Sequence, residues 1–275
     1  MTTIDFGPRL VGTPTGKLRA AILMKPAATL ERASALPGEP GAVYVRALEQ
    51  HEILRKTLAY FGVEAIVLEP RGEDPYETAI GDAAVVFEDG AMIMRPSAMS
   101  RRAEADRFES ECARLDVPIA GTIAAPGLLD GGDVLLVART AFVGAGSRGN
   151  DVGRAGFTAV ARAHGFDVVE VALAPGTSSL RSVASAVARD TLVIAPDRVD
   201  AAAFAGFRTI ELERGEDHAA GIVCLGEHHV IADVRYRTSL ARMRKAGIVV
   251  EGIDLYDFEK VGITPSLLVL ALKRD

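Results

Sequence analysis

Residues 127–150, "GLLDGGDVLLVARTAFVGAGSRGN", combine an apolar hairpin with charged side chains near both of its ends. Asp130 and Asp133 flank a glycine pair where the hairpin starts, and Arg148 follows its second strand. Asp-Gly and Gly-Gly pairs are typical of tight turns, because glycine adopts the positive φ angles that such turns need. Turn chemistry therefore accounts for the glycines, but it leaves the acids and the arginine unexplained.

The hairpin belongs to a repeating unit of hairpin, helix and short strand, which recurs at intervals of roughly 45 residues. The clearest hairpins are predicted at 83–94, 133–144 and 221–232. Helices that lead into a strand are predicted to end in four segments, at 54–70, 111–122, 161–173 and 242–255. Three of these segments carry a glycine (Gly62, Gly165 and Gly247) where a helix C-cap favours a left-handed residue.

Five such units fit the 275 residues. The first begins at 18–26, and a weaker copy runs through 182–195, a short helix near Phe204 and a strand at 207–212. Radial repetition around an axis leaves few sheet edges exposed. We therefore predict one α/β domain over 1–275, a five-module α/β propeller of ββαβ repeats around a central pocket. Its modules are expected at roughly 18–70, 74–122, 128–174, 179–212 and 218–274.

Composition excludes several classes of function. The formal charge of −6 argues against a nucleic-acid partner, which favours a basic face. No apolar run reaches about 18 residues, so the sequence predicts no membrane span. The N-terminus has an acid and a proline where a signal peptide needs a basic start and an apolar core. We expect a soluble cytoplasmic protein, and a homo-oligomer stays an open alternative.

The cysteines and histidines indicate neither a disulfide framework nor a metal site. Cys112 shares a helical face with Phe108 and Leu115, and Cys224 lies in a strand-like run, so both are predicted to be core thiols. The sequence has no C-x-x-C pair. Adjacent histidines in "EHHV" at 227–230 would point to opposite faces of a strand, and we interpret the segment as a hairpin turn. No cofactor and no metal are predicted.

An ordered set of motifs resembles the pentein, or guanidino-group-modifying, superfamily, and within it the dimethylarginine dimethylaminohydrolase family. The set comprises the acid-Gly-Gly-Asp-Val motif at 130–134, the paired-arginine stretch "RPSAMSRRAE" at 95–104 and "RGN" at 148–150. The likeness covers most of the chain and is best from 75 to 150, with a further match in "DFEKVGITPSLLVLAL" near the C-terminus. The resemblance implies the propeller fold that the repeat already predicts.

The resemblance also implies roles for four charged residues. Asp82 takes the place of the family's acid that binds the substrate guanidinium. Asp130 takes the place of a second acid, which contacts the guanidinium and positions a catalytic histidine. Arg101 and Arg148 match two arginines that hold the substrate carboxylate. Chemistry agrees with these roles, because a protonated guanidinium is a planar fork that pairs with acids in its plane, and a carboxylate favours arginine for the same reason. Taken singly, each residue would be better explained as a cap or a solvated surface charge.

The chain departs from the family at the reacting groups. The family's histidine position falls at Ser179, within "SSLRS", and its C-terminal cysteine position falls at Pro265 or Ser266. The glutamate that precedes the first acid is Gly81, and the acid for the substrate amino group appears as Tyr76. A serine nucleophile needs a base, and Ser179 is not one. Loss of a covalent nucleophile costs on the order of 10⁶ in turnover in a well-studied hydrolase.

Three hypotheses for function follow. The first is a non-catalytic pentein that binds a small zwitterionic guanidino compound of the arginine or methylarginine type. The second is a guanidine-modifying enzyme with a non-covalent route, in which Asp130 or Asp82 activates a water molecule and is thus the catalytic candidate. The third is an interaction protein with a vestigial pocket, against which the retained charges argue, because buried charges without a ligand are costly.

Overall fold

The structure, a computed structural model, describes residues 10–275 and contains five separate three-stranded sheets. The strands are β1 (Leu18–Met24), β2 (Glu64–Leu68), β3 (Ala84–Val86), β4 (Ala91–Ile93), β5 (Ile119–Thr122), β6 (Val134–Val137), β7 (Thr140–Ala145), β8 (Asp167–Ala172), β9 (Ala184–Ala188), β10 (Thr191–Ile194), β11 (Arg208–Glu211), β12 (Val223–Gly226), β13 (His229–Asp233), β14 (Val249–Ile253) and β15 (Leu270–Arg274). The helices are α1 (Tyr44–Tyr60), α2 (Ala103–Arg114), α3 (Asp151–Ala163), α4 (Leu180–Val183), α5 (Arg237–Lys245), α6 (Tyr256–Glu259) and α7 (Pro265–Leu268).

Every sheet has the same internal order. The first and middle strands pair antiparallel, a helical connection follows, and the third strand pairs in parallel with the middle one, as in β6, β7, α3 and β8. The antiparallel pair is a hairpin in four of the five sheets. The first and middle strands are almost entirely buried, whereas the third strands are largely half-buried or exposed. The ββαβ repeat and the pentein-type propeller predicted from the sequence are therefore confirmed.

The ring closes through the two ends of the chain. The C-terminal strand β15 pairs antiparallel with β1, and β1 pairs in parallel with β2. One sheet thus takes its first strand from residues 270–274, a segment that the sequence analysis grouped with 218–274. Strand β1 is therefore paired on both sides.

The helix ends follow the predicted C-cap chemistry. Gly62, Gly165 and Gly247 have φ angles of +78°, +76° and +90°, the left-handed conformation that glycine adopts without steric cost. In the second module the helix is not followed by a glycine, and Asp116 takes this conformation with a φ of +57°. The fourth module has only a short 3-10 helix, Ala201–Phe204, between its middle and third strands.

The hydrophobic core is divided into clusters that join neighbouring modules. One cluster packs Ile22 and Leu270 of the closing sheet against Ile93 and Phe108 of the next module. Cys112 lies in the same cluster, and both cysteines are buried and free, as predicted for core thiols. Within residues 10–275, no helix has the length and apolar character to cross a membrane. No group of three or more metal-ligating side chains is brought together in this part of the chain.

Candidate functional site

The candidate site is built from segments that immediately precede the first strands of the modules. Asp82 ends a 3-10 turn before β3, and Asp130 precedes the 3-10 turn that enters β6. Helix α4 leads into β9, and α7 precedes β15. These segments contact one another at one end of the ring axis. The propeller therefore brings together residues that are far apart in the sequence.

Asp82 is the centre of the charged cluster and is only 1% exposed. Its Oδ2 atom accepts hydrogen bonds from Arg101 Nη1 at 2.7 Å and from Arg148 Nη2 at 2.5 Å. Its Oδ1 atom accepts the backbone N–H of Gly132 at 3.1 Å. Both carboxylate oxygens are thus bound within the protein.

Asp130 and Arg148 form the second pair. Arg148 donates from Nε to Asp130 Oδ2 at 2.8 Å, and its Nη2 bonds to the same oxygen. The other carboxylate oxygen accepts the backbone N–H of Ser97 at 2.7 Å. Asp130 is 1% exposed, whereas Arg148 is 23% exposed and lies in the loop between β7 and α3. One guanidinium group therefore bridges the two predicted guanidinium-binding acids.

Arg101 is held more completely than Arg148. Its Nε and Nη2 atoms form a two-pronged pair with Glu104, each at 2.8 Å, in addition to the bond with Asp82. Nη2 also donates to the backbone carbonyl of Ala79 at 3.3 Å. With 3% of its side chain exposed, Arg101 has every guanidinium nitrogen bonded to protein. Glu104, which the sequence analysis missed, could have been found from its i+3 spacing to Arg101 on one helical face.

The two acids respond differently to this environment. Burial acts to raise the pKa of Asp82, but the charges of Arg148 and Arg101 outweigh it and lower that pKa to about 2. For Asp130, burial is the largest effect and raises the pKa, although Arg148 acts in the opposite direction. The two arginines thus favour the ionised form of Asp82, whereas burial disfavours the ionised form of Asp130.

The glycine pair has a different role from the one predicted. Neither Gly131 nor Gly132 has a positive φ angle, so the turn-chemistry explanation is wrong at these positions. A Cβ atom on Gly131 would lie 2.5 Å from the carbonyl oxygen of Gly81, and one on Gly132 would lie 2.4 Å from Oδ1 of Asp82. The pair is glycine because two loops of neighbouring modules approach each other closely.

Asn150 of the "RGN" motif fixes the loop that carries Asp130. Its Oδ1 atom accepts the N–H of Gly153, which caps helix α3, and the N–H of Leu128, at 2.8 Å and 2.9 Å. Its Nδ2 atom donates to the carbonyl of Pro126 at 3.0 Å. The asparagine thereby joins the start of α3 to the segment before the glycine pair.

The two serines at the family's reacting positions are buried, and both hydroxyls are hydrogen-bonded within the protein. Ser179 shares a hydrogen bond of 2.8 Å with Ser182. Ser266 donates to the carbonyl of Arg181 at 2.8 Å and lies 2.9 Å from the hydroxyl of Thr264. No histidine or carboxylate is among the hydrogen-bond partners of either hydroxyl within residues 10–275. Neither serine thus has a base to accept its proton in this arrangement.

Two further positions show how the site departs from the family pattern. A Cβ atom on Gly81, where the family has glutamate, would lie 3.1 Å from Arg181 Nη1. Tyr76, at the position of the amino-group acid, packs against the hydrophobic core, and its backbone N–H donates to Asp74 Oδ1 at 2.8 Å.

Asp133 is a candidate that sequence reasoning left without a role. Its side chain is fully buried, Oδ1 accepts the N–H of Leu180 at 2.8 Å, and Oδ2 has no hydrogen-bond partner. Burial raises its pKa to about 7, although the charge of Arg148 acts to lower it. A carboxyl group with this pKa exchanges a proton near neutral pH, as general acid–base catalysis requires. Its place after the glycine pair was visible in the sequence, but its burial was not.

Comparison with known proteins agrees with this architecture. No protein-family model matches the chain. The N(G),N(G)-dimethylarginine dimethylaminohydrolase of Streptomyces coelicolor is 31% identical over 216 residues, which cover 78% of this chain and 81% of the relative. The protein of the same name from Pseudomonas aeruginosa is 27% identical over 218 residues, covering 79% of this chain and 85% of the relative.

Structural similarity is stronger than sequence similarity. A cysteine-to-serine variant of the Pseudomonas aeruginosa protein, solved in complex with citrulline, has a TM-score of 0.85 and 25% sequence identity. The match covers 92% of this chain and 99% of that structure. The five-module ring with its converging loops defines a pentein. The chain belongs, within that superfamily, to the dimethylarginine dimethylaminohydrolase family.

Proposed function

We propose that this protein binds a small zwitterionic guanidino compound of the arginine or methylarginine class between Asp82 and Asp130. The contacts of Arg148 carry the proposal. Its guanidinium group lies between the two acids and bonds to both. A ligand guanidinium is the same planar, permanently charged group, so it has the shape and charge to take that position.

Binding in this position requires Arg148 to exchange partners. Arg148 is the more exposed of the two arginines and belongs to a loop, so it can turn outward when a ligand guanidinium replaces it. Its own guanidinium would then be available for the ligand carboxylate. Arg101 is already saturated by Asp82, Glu104 and Ala79, and we assign it the role of holding Asp82 in place.

The family's covalent route is not part of this proposal. Ser179 and Ser266 stand at the reacting positions, and both hydroxyls are hydrogen-bonded to uncharged groups of the protein. The two cysteines lie in other modules and are buried. We therefore propose that a bound ligand forms no covalent bond with a cysteine of this protein.

Calorimetry tests the binding proposal. Arginine, Nω-methylarginine and citrulline are titrated into the wild type, into Asp82→Asn and into Asp116→Asn, a control at an exposed acid. We expect Asp82→Asn to weaken the two guanidinium ligands by roughly tenfold or more and to affect neutral citrulline less, because charge-assisted hydrogen bonds are about twice as strong as neutral ones. Absence of binding by all three compounds at millimolar concentration would refute this ligand class.

Asp133 favours a second candidate function, hydrolysis by a water molecule without a covalent intermediate. In that reaction water adds to the guanidinium carbon while Asp133 accepts its proton. The proton then passes to the terminal nitrogen, whose bond to carbon breaks, and the products are an ureido compound and an amine. The pKa of about 7 supports Asp133 as the base, whereas Asp82, with a pKa of about 2, is a poor one. Release of citrulline by the wild type and its loss in Asp133→Asn would establish this route over simple binding.

A further inference from the structure

A cavity of about 130 Å³ lies on the ring axis and is lined by the first strands of all five modules. Its walls are mostly aliphatic, with Val85, Val134 and Leu270 among them. Two arginines, Arg181 and Arg274, also line it. Cationic groups are unusual in an apolar cavity, because burying a charge is costly unless an opposite charge accompanies it.

Neither arginine forms an ion pair with an acid of residues 10–275. Arg274 donates to the backbone carbonyls of Gly16 and Cys224, both at 2.8 Å. Arg181 bonds to the carbonyls of Gly81 and Val269, at 3.3 Å and 3.4 Å, and to that of Ser266. Carbonyl dipoles satisfy some of the N–H groups, but they leave both net charges uncompensated.

Among acids, Asp82 has the largest effect on Arg181, and its charge acts to raise the pKa of that guanidinium group. That carboxylate is already bound by Arg101 and Arg148, and position 81, beside Arg181 Nη1, is a glycine. Burial, together with the charge of Arg274, instead lowers the pKa of Arg181 to about 10. The two arginines thus line one cavity, and no other charged residue within residues 10–275 is part of its lining.

We propose that the axial cavity is a binding site for a small anion, held between the guanidinium groups of Arg181 and Arg274. An anion there would compensate both positive charges. It would also accept hydrogen bonds from guanidinium N–H groups that do not donate to the backbone carbonyls. The volume suits a halide or a small carboxylate with a few water molecules. The cavity borders the candidate site through Gly131 and Ser266, but the anion site uses Arg181 and Arg274 and does not depend on the function proposed for Asp82 and Asp130.

Thermal unfolding in different salts tests the proposal. The melting temperature is measured at constant ionic strength while gluconate, a large anion, is replaced stepwise by chloride, bromide, formate or acetate. We expect a rise of at least about 2 °C that saturates, because a ligand of the folded state stabilises by mass action. Saturation by halides alone identifies an inorganic ion as the occupant, and saturation by formate or acetate identifies a carboxylate.

Variants separate this site from general salt effects. Arg274→Met should abolish the saturable rise, whereas Arg162→Met, at an exposed helix position, should retain it. If Arg274→Met does not fold, crystals of the wild type are soaked in bromide and the anomalous density is measured. The proposal predicts anomalous density for bromide between Arg181 and Arg274. Where a halide gives the saturable rise, a cavity without bromide density would overturn the proposal. An equal rise in Arg274→Met, or no saturable rise with any of the four anions, would overturn it as well.

Discussion

Arg148 Nη2 lies 2.5 Å from Oδ2 of Asp82, although the two residues are 66 positions apart in the chain. The contact joins the loop that follows the hairpin of one module to the turn that precedes the hairpin of its neighbour. Because Arg148 also bonds to Asp130, a single side chain holds two buried carboxylates in place. The charges of the candidate site are thus part of the structure of the ring as well as its proposed binding surface.

Replacement of Arg148 by alanine should destabilise the protein by roughly 3–5 kcal/mol, because it leaves two buried acids without their shared partner. If the space between the acids accepts a ligand guanidinium, millimolar methylguanidinium should restore part of the lost stability. Thermal unfolding of Arg148→Ala with and without methylguanidinium measures both effects.

The wild type and Arg162→Ala serve as controls for this rescue. In both proteins Arg148 still occupies the position between Asp82 and Asp130, so methylguanidinium at the same concentration should change the melting temperature little. Equal stabilisation of all three proteins would show that the effect is not specific to the vacated position.

Asp133 should make stability depend on pH in a defined window. Its pKa in the folded protein is about 7, above the ordinary value of 3.8. Between these values the folded state keeps a proton that the unfolded state has lost, so the free energy of unfolding decreases as pH rises from about 4 to about 7. The loss amounts to at most roughly 4 kcal/mol, since each pKa unit corresponds to 1.36 kcal/mol.

Asp133→Asn removes the titrating group while keeping the size of the side chain. Urea unfolding at pH 5 and pH 8 should show that the variant loses less stability over this interval than the wild type does. Asp116→Asn, at an exposed acid, should behave like the wild type. Identical pH dependence in all three proteins would mean that Asp133 is ionised in the folded state at both pH values.

The repeat was predictable because its signals are local. Alternation of apolar hairpins, helical faces and C-cap glycines can be found within windows of a few residues, and Gly62, Gly165 and Gly247 have the predicted conformation. The pairing of β15 with β1 was not visible in such windows, because it joins the two ends of the chain.

The site was harder to predict because its contacts are tertiary. The resemblance indicated which charges matter, and the structure brings Asp82, Asp130, Arg101 and Arg148 into one cluster. The pairing between the acids and the arginines depends on distances in the folded protein, and the spacing of these residues along the sequence does not determine those distances. The same holds for the glycine pair, since the need for it comes from Gly81 and Asp82, about 50 residues earlier.

Close approach at Gly131 leads to a third prediction. Gly131→Ala would place a methyl group 2.5 Å from the Gly81 carbonyl and 2.9 Å from that of Ala84, and both are backbone atoms. We expect destabilisation by roughly 1–3 kcal/mol, as for other overpacked sites, measured by urea unfolding. In contrast, Gly156→Ala lies within α3 with its nearest neighbour at 3.5 Å, and it should stabilise by about 0.5–1 kcal/mol. A neutral Gly131→Ala would show that the two loops can separate without cost.

The native protein should also be unreactive toward thiol reagents. Burial raises the pKa of Cys112 to about 11, and it also raises the pKa of Cys224. Both thiols should therefore be protonated near neutral pH. Ellman's reagent at pH 7.5 should therefore modify neither cysteine until the protein is unfolded in guanidinium chloride, where both should react.

Replacement of both cysteines by alanine should leave the affinity for arginine-type ligands within a few-fold of the wild type, because neither thiol belongs to the charged cluster. Complete loss of ligand binding or turnover in a folded double variant would instead assign a thiol to the site.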